Sequence, residues 1–168
     1  MAVPSAATLC IGFILIFNFL PKEDSTRYCA SGDYNEVPTT KSIQEYAIEN
    51  NLPILYFDNS TIIDYVEHKE YQILSGETVG FMETFIDMEG YLAYIRFTDK
   101  NITLEGLSLY DTLTETSLVD NYAVSYEQRS RSSYATFTYG NYRYYLEVED
   151  VSTDYVLDMV EILIPDSK

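Results

Sequence analysis

The sequence predicts an α+β fold: one curved antiparallel sheet of about six strands, a C-terminal helix packed on its apolar face, and an N-terminal helix. A membrane-spanning helix is expected ahead of this domain. Three observations carry the prediction. The stretch from Ile62 to Val148 is dominated by short segments rich in β-branched and aromatic residues, separated by polar turns. "TFTYGNYRYYLEVED" has the pattern of a tight hairpin. "VSTDYVLDMVEILIP" switches to helical periodicity at the end of the chain.

The first twenty residues, "MAVPSAATLCIGFILIFNFL", carry no charged side chain. A bilayer span takes about 20 apolar residues, a length this segment just reaches. A cleaved secretory leader would show a basic start and a small-x-small site, and neither is present. Cys10 follows bulky Leu9, unlike a lipid-attachment cysteine. Residues 1–20 are therefore expected to form an uncleaved anchor, the single span of the chain. The missing basic flank is expected if translation starts upstream of Met1 and a cytoplasmic part precedes the span. Residues 21–38, polar and containing Ser, Gly, Asp and Pro, are expected to be a tether. Residues 39–168 form the expected extracytoplasmic domain.

That domain opens with a helix in "TTKSIQEYAIENNLP". Ser42 and Glu45 have capping-box spacing, and Ile43, Tyr46 and Ala47 share a face. Pro53 disfavours helical geometry at Leu52 and ends it. Strands are expected in "IIDYVEH", "EYQILSG", "VGFMETFID" and "YLAYIRFT", the last two joined by a turn at Met88-Glu89-Gly90. "ITLEGLSLY" is expected to be a strand with a bulge at Gly106, where the apolar phase slips. "DTLTETSLVDN" reads as a polar link and "YAVSYEQ" as another strand.

A turn at Gly140-Asn141 fixes the register of the hairpin. Tyr139 then faces Tyr142, Phe137 faces Tyr144 and Ala135 faces Leu146, all on one side with Val148. Thr138, Arg143, Thr136, Tyr145, Tyr134 and Glu147 fall on the other. A one-residue slip would mix the two sets. This leaves Tyr134 and Tyr145 for solvent, with Arg143 between acids, and makes Tyr134, Arg143 and Tyr145 the candidate partner-contact residues. In the final helix Ser152 is the expected N-cap, with Tyr155, Val156, Met159, Val160 and Leu163 on one stripe.

The chain has 27 acidic and 10 basic side chains, a net charge of −17. Such a field repels nucleic acid and anionic headgroups, so no nucleic-acid partner is expected. His68, the one histidine, has charged neighbours in "VEHKE" and reads as a solvated surface residue. No nucleophile, zinc or phosphate-loop motif occurs. Asp99, Asn101, Thr103 and Glu105 alternate like calcium ligands, but Leu104 stands where an EF-hand needs glycine. Cys29 reads as an incidental thiol in the tether. No catalytic residue, metal or cofactor is assigned, and a carboxylate-pair hydrolase is disfavoured because no orienting motif accompanies the acids.

The segments "YLAYIRFTDKN" and "YGNYRYYLEVEDVSTDYVLDMVEILI", a hairpin running into a capped helix, resemble a family of extracytoplasmic domains of unknown function in Gram-positive bacteria. These follow a single membrane span, often in anti-sigma-factor-like regulators. The likeness spans roughly residues 42–164 and implies no catalytic residues. The expected function is a membrane-anchored, non-enzymatic sensor or interaction domain outside the membrane, with an unknown protein or ligand as partner. The alternative is a carrier holding a small apolar or aromatic ligand between sheet and helix.

Overall fold

The structure, a computed structural model, describes residues 27–30, 32–57, 65–88 and 92–164. The expected anchor and the turn residues Glu89 and Gly90 lie outside these. No helix among the described residues is long and apolar enough to cross a membrane.

The chain is α+β, as expected, but its sheet is larger than six strands. Strands β2 (Asn35–Pro38), β3 (Tyr65–Ser75), β4 (Glu77–Asp87) and β5 (Leu92–Asp99) form one meander. Strands β7 (Glu115–Val119), β8 (Tyr122–Arg129), β9 (Ser132–Tyr139) and β10 (Tyr142–Glu149) form a second. Antiparallel pairing of β5 with β10 fuses them into an eight-stranded sheet of order β2-β3-β4-β5-β10-β9-β8-β7. A separate pair joins β1 (Arg27–Cys29) in parallel to β6 (Ile102–Leu104).

The two extra strands come from stretches whose sequence is polar. The stretch expected to be a tether contains β1 and β2, so part of it is built into the fold. The polar link contains β7, an edge strand in which Leu118 is exposed; an edge strand needs no apolar alternation because one flank and much of its surface stay in water. Conversely, "IIDYVEH" and "EYQILSG" do not form two strands: residues from Tyr65 onward make one continuous strand, with register shifts between Tyr65 and Glu67 and between Ile73 and Leu74. The expected strand over 102–110 stops at Leu104. Gly106 at φ 90° turns the chain, and Ser108–Thr112 forms a 3-10 turn.

The predicted caps are present. Ser42 accepts the Glu45 N–H, and Glu45 reaches back to the Ser42 N–H, starting α1 (Ile43–Asn50). Asn51 in the left-handed region ends it, before Pro53. Ser152 accepts from the Tyr155 N–H at the start of α2 (Thr153–Leu163). Val156, Met159, Val160 and Leu163 of α2 are buried, whereas Tyr155, placed on the same stripe by spacing, is exposed.

One sheet face carries Phe81, Phe85, Ala93, Ile95, Phe97, Ala135, Phe137, Tyr144, Leu146 and Val148. Helix α2 covers its β7–β10 half, and α1 with residues 54–57 packs over the β3–β5 half. Phe81, Phe97, Tyr144 and Phe137 stand opposite one another on four adjacent strands, with successive ring centroids 5.4, 5.1 and 4.9 Å apart. Gly80 lets β4 approach β5, because a Cβ there would fall on the Phe97 carbonyl oxygen and 2.9 Å from Thr98 Cγ2. The chain leaves β5 at the sheet centre and re-enters at β7 on its edge. That crossover lies against the opposite face, where Leu104, Leu107 and Tyr110 join Cys29, Ile73, Val79, Met82 and Tyr145 in a second core.

Candidate functional site

The hairpin register is the predicted one: Tyr142 pairs with Tyr139, Tyr144 with Phe137 and Leu146 with Ala135. Tyr144 is buried, and its hydroxyl accepts the Leu55 N–H over 2.7 Å. Burial raises its pKa above the ordinary tyrosine value.

The three candidate contact residues lie together, but not in the predicted state. Tyr145 was expected in solvent and is only 2% exposed. Tyr110 of the 3-10 turn packs edge-on against it at 5.1 Å between ring centroids. Arg143 stacks over the Tyr145 ring at 5.2 Å, and its Nη2 lies 2.6 Å from Asp111 Oδ1. Arg143 Nε also donates to Thr136 Oγ1 at 3.3 Å. Tyr134 is half-buried, and its hydroxyl donates to Glu147 Oε1 at 3.2 Å. The aromatic and cationic surface proposed for a partner is thus occupied by residues 110 and 111 of the same chain. Cys29, expected as an incidental tether thiol, is buried in this core with Sγ 3.8 Å from Ser75 Oγ.

A different cluster lies on the other face, and the sequence reading missed it. Glu70 on β3 stands directly opposite Glu83 on β4, and His68 stands opposite Phe85. Strand alternation places all three ionisable side chains on the face that carries Phe81 and Phe85. Glu83 is 0% exposed. Its Oε1 lies 3.6 Å from His68 Nε2; the His68 imidazole and the Phe57 backbone N–H both favour its charged form, but neither reaches full hydrogen-bond geometry with its oxygens. The imidazole of His68 is 22% exposed and stacks flat on Phe85, with centroids 4.4 Å apart and planes within 2°. Glu70 Oε2 accepts the Ile43 N–H at 3.2 Å, at the start of α1.

Burial pushes the Glu83 carboxyl above the ordinary glutamate range, opposed by the facing imidazole and, more weakly, by the Phe57 backbone N–H. Burial likewise raises Glu70, opposed by the Ile43 N–H and then by His68. One atom from each of His68, Glu70 and Glu83 can be chosen so that all lie within 4.8 Å of one another. The cluster borders a pocket of about 440 Å³ lined by Pro38, Thr39, Ser42, His68, Lys69, Glu70 and Tyr71, with the Lys69 ammonium paired to Glu67. The arrangement is an imidazole and one carboxylate lining an open pocket, with a second carboxylate, Glu83, behind them and shut away from water.

The signal for this site was in the sequence. Period-2 alternation in "VGFMETFID" puts Glu83 between Phe81 and Phe85, a carboxylate on an apolar stripe. His68 and Glu70 share the same i, i+2 relation. Comparisons with protein-family models, curated proteins and solved structures give no match to this chain.

Proposed function

We propose that the chain is a membrane-anchored, non-enzymatic sensor or interaction domain held outside the membrane. The apolar run of residues 1–20 supports the anchor, and the excess of acidic side chains argues against a nucleic-acid partner. The observation that carries the choice between interaction domain and carrier is the packing of α2. Val156 and Val160 are fully buried, as are Ala135 and Leu146 in the sheet core they join, with Met159 and Leu163 closing the contact. A carrier holding an apolar ligand between helix and sheet needs a cavity where these side chains pack. The sensing site in this reading is the pocket beside α1, where His68 and Glu70 meet open space. The resemblance of residues 91–101 and 139–164 to extracytoplasmic domains of unknown function, which follow one span and often occur in anti-sigma-factor-like regulators, supports the same reading.

The test is membrane topology. The full chain, with a C-terminal epitope, is expected to stay in the membrane fraction after an alkaline carbonate wash. In intact cells stripped of their wall, added protease should remove the epitope. A chain released by carbonate, or an epitope protected until lysis, overturns the proposal.

A further inference from the structure

We propose that His68, Glu70 and Glu83 form a binding site for a divalent transition-metal ion of the zinc class, with a further coordination position open to the pocket. The inference deepens the sensor reading by naming its ligand; it rests on that reading for the biological role alone.

The first argument is Glu83 itself. A carboxylate sealed from solvent is costly unless it is well paired, and the oxygens of Glu83 have only long, imperfect contacts with the His68 imidazole and the Phe57 N–H; such groups are ordinarily fully paired or metal-bound. Among the described residues its ion-pair contact is the His68 imidazole rather than a lysine or arginine, on an apolar sheet face between two phenylalanines. A bound cation would complete the pairing that His68 and the Phe57 N–H leave partial.

The second argument is geometry. Zinc–nitrogen and zinc–oxygen bonds of about 2.0–2.2 Å in a tetrahedron put neighbouring ligand atoms roughly 3.3–3.5 Å apart. His68 Nε2 and Glu83 Oε1, 3.6 Å apart, already match that edge closely. All three donor atoms lie within 4.8 Å of one another, and Glu70, on the partly exposed rim, is a carboxylate that can adjust to close the site. Glu70 Oε2 is held by the Ile43 N–H, which leaves Oε1 for the metal and orients the carboxylate as an outer hydrogen bond does in known metal sites. Stacking on Phe85 fixes the plane of the imidazole.

The third argument is the donor set. Calcium and magnesium take six or more oxygen ligands, whereas one imidazole with two carboxylates suits zinc and its transition-metal neighbours. The positive end of α1 points toward the cluster and would oppose a cation. Glu70 stands between, accepting the first amide of that helix. The pocket beside His68 and Glu70 provides the entry path and room for water or a ligand atom at the open position.

The test uses the full chain purified in detergent and stripped with a chelator. Zinc should bind with one saturable site by calorimetry and raise the melting temperature, while calcium and magnesium at equal concentration leave it unchanged. Glu83→Gln should weaken zinc binding by about 10- to 100-fold or more and abolish the thermal shift. His68→Gln, at a partly exposed position, gives the same comparison should the buried variant fail to fold. No saturable zinc binding, an equal shift with calcium, or a variant that binds zinc as the parent does overturns the assignment. Loss of the metal site with the epitope still outside the membrane would leave the sensor reading standing; the reverse pattern would remove that reading and keep the site.

Discussion

Glu70 and Glu83 face each other as a directly opposed cross-strand pair, and Glu83 is closed off from water. Like charges directly opposite one another weaken a sheet. A buried carboxylate with only long, imperfect contacts to its partners adds its own desolvation cost. Glu83 therefore lowers the stability of the metal-free fold. Replacing it with an unbranched apolar side chain of similar length should stabilise the chain by about 1–3 kcal/mol in the absence of metal. Urea unfolding of Glu83→Met in chelator measures this, and a lower midpoint than the parent would show that the carboxylate is well satisfied after all.

The same pair sets a pH dependence. Both folded carboxyls have raised pKa values, caused first by burial. In the unfolded chain each titrates near the ordinary value of 4.5, so above that pH the unfolded state holds fewer protons than the folded one. By linkage their contribution is fully present below the unfolded value and is lost as pH rises through the folded values. The stability of the parent should fall relative to Glu83→Met as pH rises from about 4.5 toward neutrality. Denaturation midpoints of both chains across that range, in chelator, decide it; parallel curves would mean Glu83 titrates normally.

The parts of the fold that were legible are those in which one periodicity sorts a segment cleanly. The Gly140 hairpin, α1 and α2 each have a single register that separates apolar from polar residues and a side chain that caps or turns it. What was not legible depends on what lies over a face. The outer face of the hairpin looks polar in sequence because Thr136, Arg143 and Glu147 are on it. The crossover of residues 100–114 nevertheless covers Tyr145, and a crossover is set by sheet order rather than by local pattern. Edge strands β2 and β7 were missed because an edge tolerates polar sequence. His68 was judged by its chain neighbours, Glu67 and Lys69, which alternation sends to the opposite side of the strand. Its partners in space, Glu70 and Glu83, are related to it by strand spacing and pairing.

Tyr144 ties the connection after α1 to the centre of the sheet through one hydrogen bond spanning 89 residues of sequence. Tyr144→Phe keeps the ring stack with Phe97 and Phe137 but leaves the buried Leu55 N–H without its acceptor. The expected loss is about 1–3 kcal/mol, the desolvation cost of an unpaired donor. Amide exchange should separate this from a general loosening. The Leu55 N–H should exchange much faster, with the β9 and β10 amides changed only by the global stability loss. Equal acceleration throughout would mean that the bond does not localise the connection.

Tyr145 and Tyr134 lie on one face of the hairpin yet should respond oppositely to truncation. Tyr145 is sealed beneath Tyr110 and Arg143, so Tyr145→Ala opens a cavity in the second core. The expected destabilisation is about 3–5 kcal/mol, as for other large buried aromatic side chains. Tyr134 is half-buried, and its hydroxyl meets a partly exposed glutamate. Tyr134→Ala should cost about 1–2 kcal/mol, from partial loss of apolar area and the edge contact with Tyr110. The pair of melts also settles how this face can be used. A partner that touched Tyr145 would first have to displace the 3-10 turn, together with the Arg143–Asp111 contact. Truncating Tyr110 should then expose Tyr145 and strengthen such binding relative to the parent. If Tyr145→Ala melts like the parent, the turn does not hold the tyrosine closed, and the hairpin face is open to a partner as the sequence alone suggested.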